Sequence, residues 1–137
     1  MADRKMMAGL MAIGIGCRKS CASAAIAAIV RRALAEAGPH VGDRRLFTSE
    51  DKRGEANLAL AAEALGLPLD FVARARLLSE AVRAVTRSER VERHIGLPGL
   101  AETAALAGAG PGGELIVARL AANGATCAIA FNPRATP

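Results

Sequence analysis

The densest chemistry in the chain lies in Gly14-Ile15-Gly16-Cys17-Arg18-Lys19-Ser20, where two glycines, a thiol, two cations and a hydroxyl follow an apolar run. A dinucleotide-binding fingerprint needs glycine at position 19, where lysine stands, and a P-loop needs glycine at 18, where arginine stands. Both nucleotide assignments fail at the residues that matter. What remains is a glycine turn leading into a helix, with Arg18 and Lys19 beside exposed amides. Helix starts attract anions through unpaired N–H groups and the positive end of the dipole. The plainer reading is a turn whose glycines serve only to let strand and helix pack.

Three further groups are candidates for chemistry. Cys17, placed by this reading at a helix start beside two cations, is a candidate nucleophile with a lowered pKa. Thr48-Ser49-Glu50-Asp51-Lys52 follows one strand and precedes a helix, so Thr48 and Lys52 face the same crevice; as a charged connection it could equally be solvated. Glu102 in a first helical turn is either an acid catalyst or a favourable partner of the dipole. Cys17, Cys21 and Cys127, with His40 and His94 in unrelated segments, do not supply the paired spacings of a zinc site, so no metal is expected. No cofactor is expected either.

These groups have to be positioned by a small set of elements. Leu10 to Ile15 reads as a strand ending in the glycine turn. Cys21 to Ala37 reads as a helix capped by Ser20 and stopped by Gly38-Pro39. Arg45 to Thr48 is a second strand, Ser49 to Gly54 a polar turn, and Leu58, Ala62 and Leu65 mark a helix stopped by Gly66. Leu67 to Val72 is a third strand with Pro68 at its start. Leu77 to Val85 is helical, Ser88-Glu89-Arg90-Val91 restarts a helix, and Gly96 to Gly99 is a break. Leu100 to Ala107 is a short helix and Gly108 to Gly113 a loop. Glu114 to Leu120 and Ala125 to Phe131 form a hairpin across Asn123-Gly124, because a type I′ turn needs positive φ at both central residues. Strand and helix alternate and a hairpin closes the chain. The expected fold is therefore one three-layer α/β/α domain over residues 1–131, with a mixed, mostly parallel sheet and a disordered tail at 132–137. Ligands of such sheets bind beyond the strands' C-terminal ends, where Gly14 to Ser20, Thr48 to Lys52 and the start of the Leu100 helix are expected to converge.

At 137 residues the chain can bury a core without staples, and 52% hydrophobic residues exclude a disordered chain. An odd cysteine count suits a reducing cytoplasm. Arg4 and Lys5 ahead of an apolar run imitate a signal peptide, but Arg18 and Lys19 interrupt it and no run is long enough to span a bilayer. The net charge of +5 is spread in isolated basic pairs, and with no tryptophan or tyrosine and only three phenylalanines there are almost no stacking platforms; nucleic acid is not the expected partner. A small anionic ligand suits the charge at least as well.

The glycine segment after its strand resembles the opening signature of the cobalamin-biosynthesis family formed by CobE and the C-terminal domain of CbiG. Thr48 with Lys52 and Glu55, the Pro98 to Leu106 block following Ser88-x-x-Val91, and Ala125 to Ala130 resemble further family blocks in the family's order. The chain departs at Ser20, where glycine is usual, and at Ala24, where an acidic residue is common. The resemblance implies a three-layer α/β fold and a part in building the corrin ring of vitamin B12. A standalone chain of this length is similar to CobE of the aerobic route. It would bind precorrin or corrin intermediates, alongside other enzymes of that synthesis. The alternative is a hydrolase or isomerase acting on a precorrin, with Cys17, Lys52 or Glu102 supplying the chemistry. The expected binding site is Gly14, Gly16, Cys17, Arg18, Lys19, Ser20, Thr48, Lys52 and Glu102, with the amides of Arg18 to Cys21 facing a carboxylate.

Overall fold

The structure, a computed structural model, describes residues 9–87 and 99–134. Five strands form one sheet in the order β3-β2-β1-β5-β4: β1 (Gly9–Cys17), β2 (Gly42–Ser49), β3 (Leu69–Val72), β4 (Glu114–Ala122) and β5 (Ala125–Asn132). β1 pairs in parallel with β2, and β2 with β3; β5 is antiparallel to both β1 and β4. Four strands thus run one way, and the returning hairpin strand is wedged between β1 and the edge strand β4. The expected mixed, mostly parallel sheet with a C-terminal hairpin is what forms.

The alternation along β1 separates the two faces. Met11, Ile13 and Ile15 point into a core shared with Ile26, Ile29, Val30, Leu58, Cys127 and Ile129, which α1 (Ser23–Ala37) and α2 (Ala56–Leu65) cover. Ala12 faces the opposite core with Phe47, Ala104, Leu106 and Ala130. There α4 (Leu100–Ala109) lies on the sheet, and α3 (Arg74–Arg87) packs over it, with Arg76 donating to the Ala107 carbonyl. Three layers result. α4 buries almost its whole circumference, which its small side chains allow by bringing it close to both neighbours.

Several boundaries differ from expectation for local reasons. β1 continues to Cys17, so Gly14 and Gly16 lie within the strand rather than in a turn after it. α1 starts at Ser23 with Ala22 as a cap that makes no side-chain hydrogen bond; Ser20 does not cap it. Ser20 instead takes a left-handed conformation (φ 65°) in the connecting turn. α4 runs through Gly108 into the expected loop because Gly108 lies on the Phe47 ring, where a Cβ would meet ring carbons at 2.5 Å. β5 takes in Asn132, expected in the tail: its carboxamide donates to the Ala109 and Pro111 carbonyls at 2.8 and 2.9 Å and is buried. The expected helix restart at Ser88 lies outside the described residues. Asn123 and Gly124 adopt φ of 53° and 86°, as the hairpin turn requires.

Candidate functional site

The end of β1, the segment after β2 and the tip of the β4–β5 hairpin meet around an open cleft of about 540 Å³. That falls within the roughly 300–1,000 Å³ usual for small-molecule sites. Gly16 and Cys17 lie at its base, Arg18 and Lys52 supply its cations, and Leu100 with residues 121–126 form its remaining wall. The hairpin tip reaches this place because β5 runs antiparallel to β1, so Ala125 at its start pairs with Cys17 at the end of β1.

Backbone and side-chain bonds fix the turn that carries Arg18. The Arg18 amide donates to Gly124 O at 2.9 Å, and the Cys21 amide closes back on Arg18 O at 3.0 Å. Asn57 at the start of α2 donates to Cys21 O at 2.8 Å, while Glu55 accepts the Ser20 amide at 3.4 Å. Cys21 Sγ lies 3.5 Å from Asn123 O as a weak donor. The turn is thus held by α2 on one side and the hairpin tip on the other. Three of the four amides expected to face a carboxylate, those of Arg18, Ser20 and Cys21, are engaged within the protein. The expected amide nest is not free, and side-chain cations remain as the anion-binding groups.

Lys52 ends a short 3-10 turn (Glu50–Lys52) that Ser49 caps by accepting the Asp51 amide at 3.1 Å. Its ammonium donates to Cys17 O at 2.8 Å, which anchors it at the cleft base and leaves two further donors. The neighbouring acids turn the other way: Glu50 accepts the Arg74 amide at 3.0 Å, and Asp51 pairs with the Arg74 guanidinium at 2.8 Å. The alternating charges of this segment are thereby sorted, cation into the cleft and carboxylates onto the start of α3.

The other expected site residues fall into place differently. Gly14 is buried beneath α4: a Cβ there would lie 2.6 Å from Ala105 N and closer still to Ala101 O. Its role is helix–strand packing, and it does not line the cleft. Gly16 does line it, and its missing side chain also makes room for Thr126, whose hydroxyl donates to Gly16 O at 3.2 Å. Thr48 is fully buried and spends its hydroxyl on Ile15 O at 2.8 Å, joining β2 to β1 rather than closing a ligand site. Lys19 and Ser20 are exposed on the turn beside the cleft. Glu102 reaches towards β4, accepting the Arg119 amide at 3.4 Å, and is not among the cleft-lining residues.

Cys17 does not sit at a helix start. It ends β1, and burial pushes its thiol pKa up despite the opposing influence of Lys52; Cys21 and Glu55 push the same way as burial. The expected lowered pKa is reversed, because the helix dipole meant to lower it begins several residues later. Among the described residues no group of three or more His, Cys, Asp or Glu could hold a metal ion, and no helix is long and apolar enough to cross a membrane. The start of the Leu100 helix was expected at this crevice and Leu100 does line it; sequence reasoning missed the hairpin tip as a cleft wall. The usable signal was the Asn123-Gly124 hairpin itself, once β5 was laid antiparallel beside β1.

Comparison with known proteins agrees with this architecture. Residues 11–130 match the family described as "Cobalamin synthesis G C-terminus". The chain is 41% identical over 127 residues to Protein CobE of Sinorhizobium sp, covering 92% of this chain and 82% of that one. The crystal structure of cobalamin biosynthesis protein chiG from Agrobacterium tumefaciens str. C58 superposes with a TM-score of 0.69 at 40% identity, over 89% of this chain and 98% of that one. The crystal structure of CobE, a protein from the cobalamin (vitamin B12) biosynthetic pathway, gives a TM-score of 0.71 at 32% identity, over 90% of each chain. With this coverage and identity, the chain belongs to the cobalamin-biosynthesis family formed by CobE and the C-terminal domain of CbiG.

Proposed function

We propose that the protein binds precorrin or corrin intermediates of cobalamin synthesis, in the aerobic route and in the cytoplasm, and holds them for the enzymes of that route. The observation that carries this is the make-up of the cleft: Arg18 and Lys52 share its lining with Leu100 and the hairpin residues Ala121, Ala122 and Ala125. These macrocycles carry acetate and propionate groups around a methylated ring edge. Two cations together with apolar groups in one cleft suit such an edge, the carboxylates on Arg18 and Lys52 and the methyl groups on Leu100 and Ala122. Arginine grips a carboxylate with two parallel hydrogen bonds, and charge-assisted bonds contribute about 1.5–3 kcal/mol each.

Holding the ligand is favoured over chemistry on it by the state of the candidate groups. The Cys17 thiol is pushed up and so is poor in thiolate, Lys52 is tied to a backbone carbonyl, and Glu102 is turned towards β4. Titrating the protein with hydrogenobyrinic acid, following the visible spectrum and then weighing the recovered ligand, tests both readings. Saturable binding of a ligand recovered unchanged supports the proposal. A ligand recovered with altered mass would replace carriage by catalysis, and no spectral change up to high micromolar ligand would remove the proposal.

A further inference from the structure

The geometry points to Asn123 as a site of spontaneous deamidation that adds a negative charge to the cationic cleft rim. The three asparagines of the chain differ sharply in what holds them. Asn57 donates its carboxamide to Cys21 O at 2.8 Å and precedes the branched, buried Leu58. Asn132 is buried, its carboxamide bound to two carbonyls, and it precedes proline, which has no N–H to react. Asn123 is exposed, makes no side-chain hydrogen bond to the described residues and precedes glycine, the least hindered successor. In the two-residue turn the ladder closes between Ala122 and Ala125, which leaves the Gly124 amide outside it.

The reaction needs only water. The Gly124 nitrogen gives up its proton to base and attacks Cγ of Asn123; a C–N bond forms, the bond from Cγ to Nδ2 breaks, and ammonia leaves. Water then opens the resulting succinimide at either carbonyl, giving aspartate or isoaspartate at position 123. No oxidant or reductant takes part.

The place makes the change consequential. The turn holds Arg18 through the bond from the Arg18 amide to Gly124 O, and the Arg18 side chain runs past Gly124, its Cδ 3.6 Å from where a Cβ would stand. A carboxylate at position 123 puts a negative charge on the rim beside one of the cleft's two cations, and isoaspartate also lengthens the backbone of the turn. This consequence rests on the proposed anionic ligand; the chemical change itself does not.

The test ages the full chain in warm, mildly alkaline buffer and in mildly acidic buffer, then maps the tryptic peptides Leu120–Arg134, which contains Asn123 and Asn132, and Gly54–Arg74, which contains Asn57. Exchange of amide for acid at position 123, with isoaspartate present, faster in alkali and outrunning Asn57 and Asn132, is the expected result. An Asn123 that stays intact, or changes no faster than the other two, overturns the site. Asn123→Gly suits the positive φ and should abolish the new product at this position. For the consequence, hydrogenobyrinic acid is titrated into Asn123→Asp and Asn123→Gly in low salt. One added charge a few ångströms away in water predicts about fivefold weaker binding for Asn123→Asp than for Asn123→Gly. Equal affinity of the two variants overturns the charge effect. If fresh wild-type protein fails to bind while Asn123 still deamidates, it is the ligand assignment that has failed.

Discussion

Replacing Gly14 by alanine sets the structure's account of this glycine against the one its sequence invites. The added Cβ would lie 2.6 Å from Ala105 N and 2.9 Å from Ala101 C, with Ala101 O nearer still. All three are backbone atoms of α4, so no rotamer change relieves them. Restoring ordinary contact requires α4 to lift from β1 by about 1 Å, in an interior packed as densely as an organic crystal. Overfilling a core costs about 1–3 kcal/mol where side chains can adjust. Here the element displaced buries Ala101, Thr103, Ala104, Ala105 and Leu106, so the upper end applies. The small gain from restricting the unfolded chain, about 0.5–1 kcal/mol, does not offset it. A loss of about 3 kcal/mol lowers the midpoint by about 10 °C for a chain of this size. The assay is thermal and urea unfolding followed by circular dichroism, with Gly54→Ala as the control because a Cβ there meets nothing within 4 Å. Gly14→Ala melting together with the control would refute the packing argument. Intact stability with lost ligand affinity would return Gly14 to a ligand-approach role.

Other substitutions probe the site's frame. Ser20→Gly removes a left-handed conformation that costs an L-residue about 1–2 kcal/mol and returns about 0.5–1 kcal/mol in chain entropy, so urea unfolding should show a slightly more stable protein; a destabilised variant would contradict the strained turn. Thr48→Val leaves Ile15 O without its buried donor and should cost about 1–3 kcal/mol in the same assay, whereas an unchanged midpoint would mean the bond contributes nothing. Cys17 should react with iodoacetamide at neutral pH more slowly than a free cysteine, and fast labelling would reinstate it as a nucleophile. Burial pushes the Cys127 thiol from 9.0 up to about 12. Between those values the unfolded thiol has lost its proton and the folded one has not, so stability is full below pH 9 and falls by about 1.4 kcal/mol per pH unit above it; Cys127→Ala should lack that slope.

The hairpin and the helix stops were legible because each is dictated by a few adjacent residues. Asn123-Gly124 demands a two-residue turn, and Gly38 and Gly66 end α1 and α2 with φ of 73° and 69°. The parallel start of the sheet followed from alternating strands and helices. What was not legible depended on partners far along the chain. The glycines of β1 announce a close approach but not of what, and the answer for Gly14 is α4, more than eighty residues on. Ser20 has the chemistry of a cap but takes the left-handed backbone that glycine favours, so its side chain misled the reading of the helix start. The cations of the cleft were found because charge is visible in sequence. The hairpin part of its wall was not, because Ala121 and Ala122 resemble ordinary strand residues until the register of β5 on β1 brings the hairpin tip to the end of the sheet.

The most direct test of the account is a parallel titration of wild type, Arg18→Ala and Arg134→Ala with hydrogenobyrinic acid, read in the visible spectrum. Arg18 lies in the cleft, while Arg134 is exposed beyond the end of β5 and outside it. The account predicts saturable binding by wild type and a coincident curve for Arg134→Ala. Arg18→Ala should keep its fold and bind more weakly by about 1–3 kcal/mol, the size of a lost charge-assisted hydrogen bond. Equal weakening by both substitutions would mean that only diffuse positive charge attracts the ligand, and an Arg18→Ala curve overlying wild type would place the ligand elsewhere.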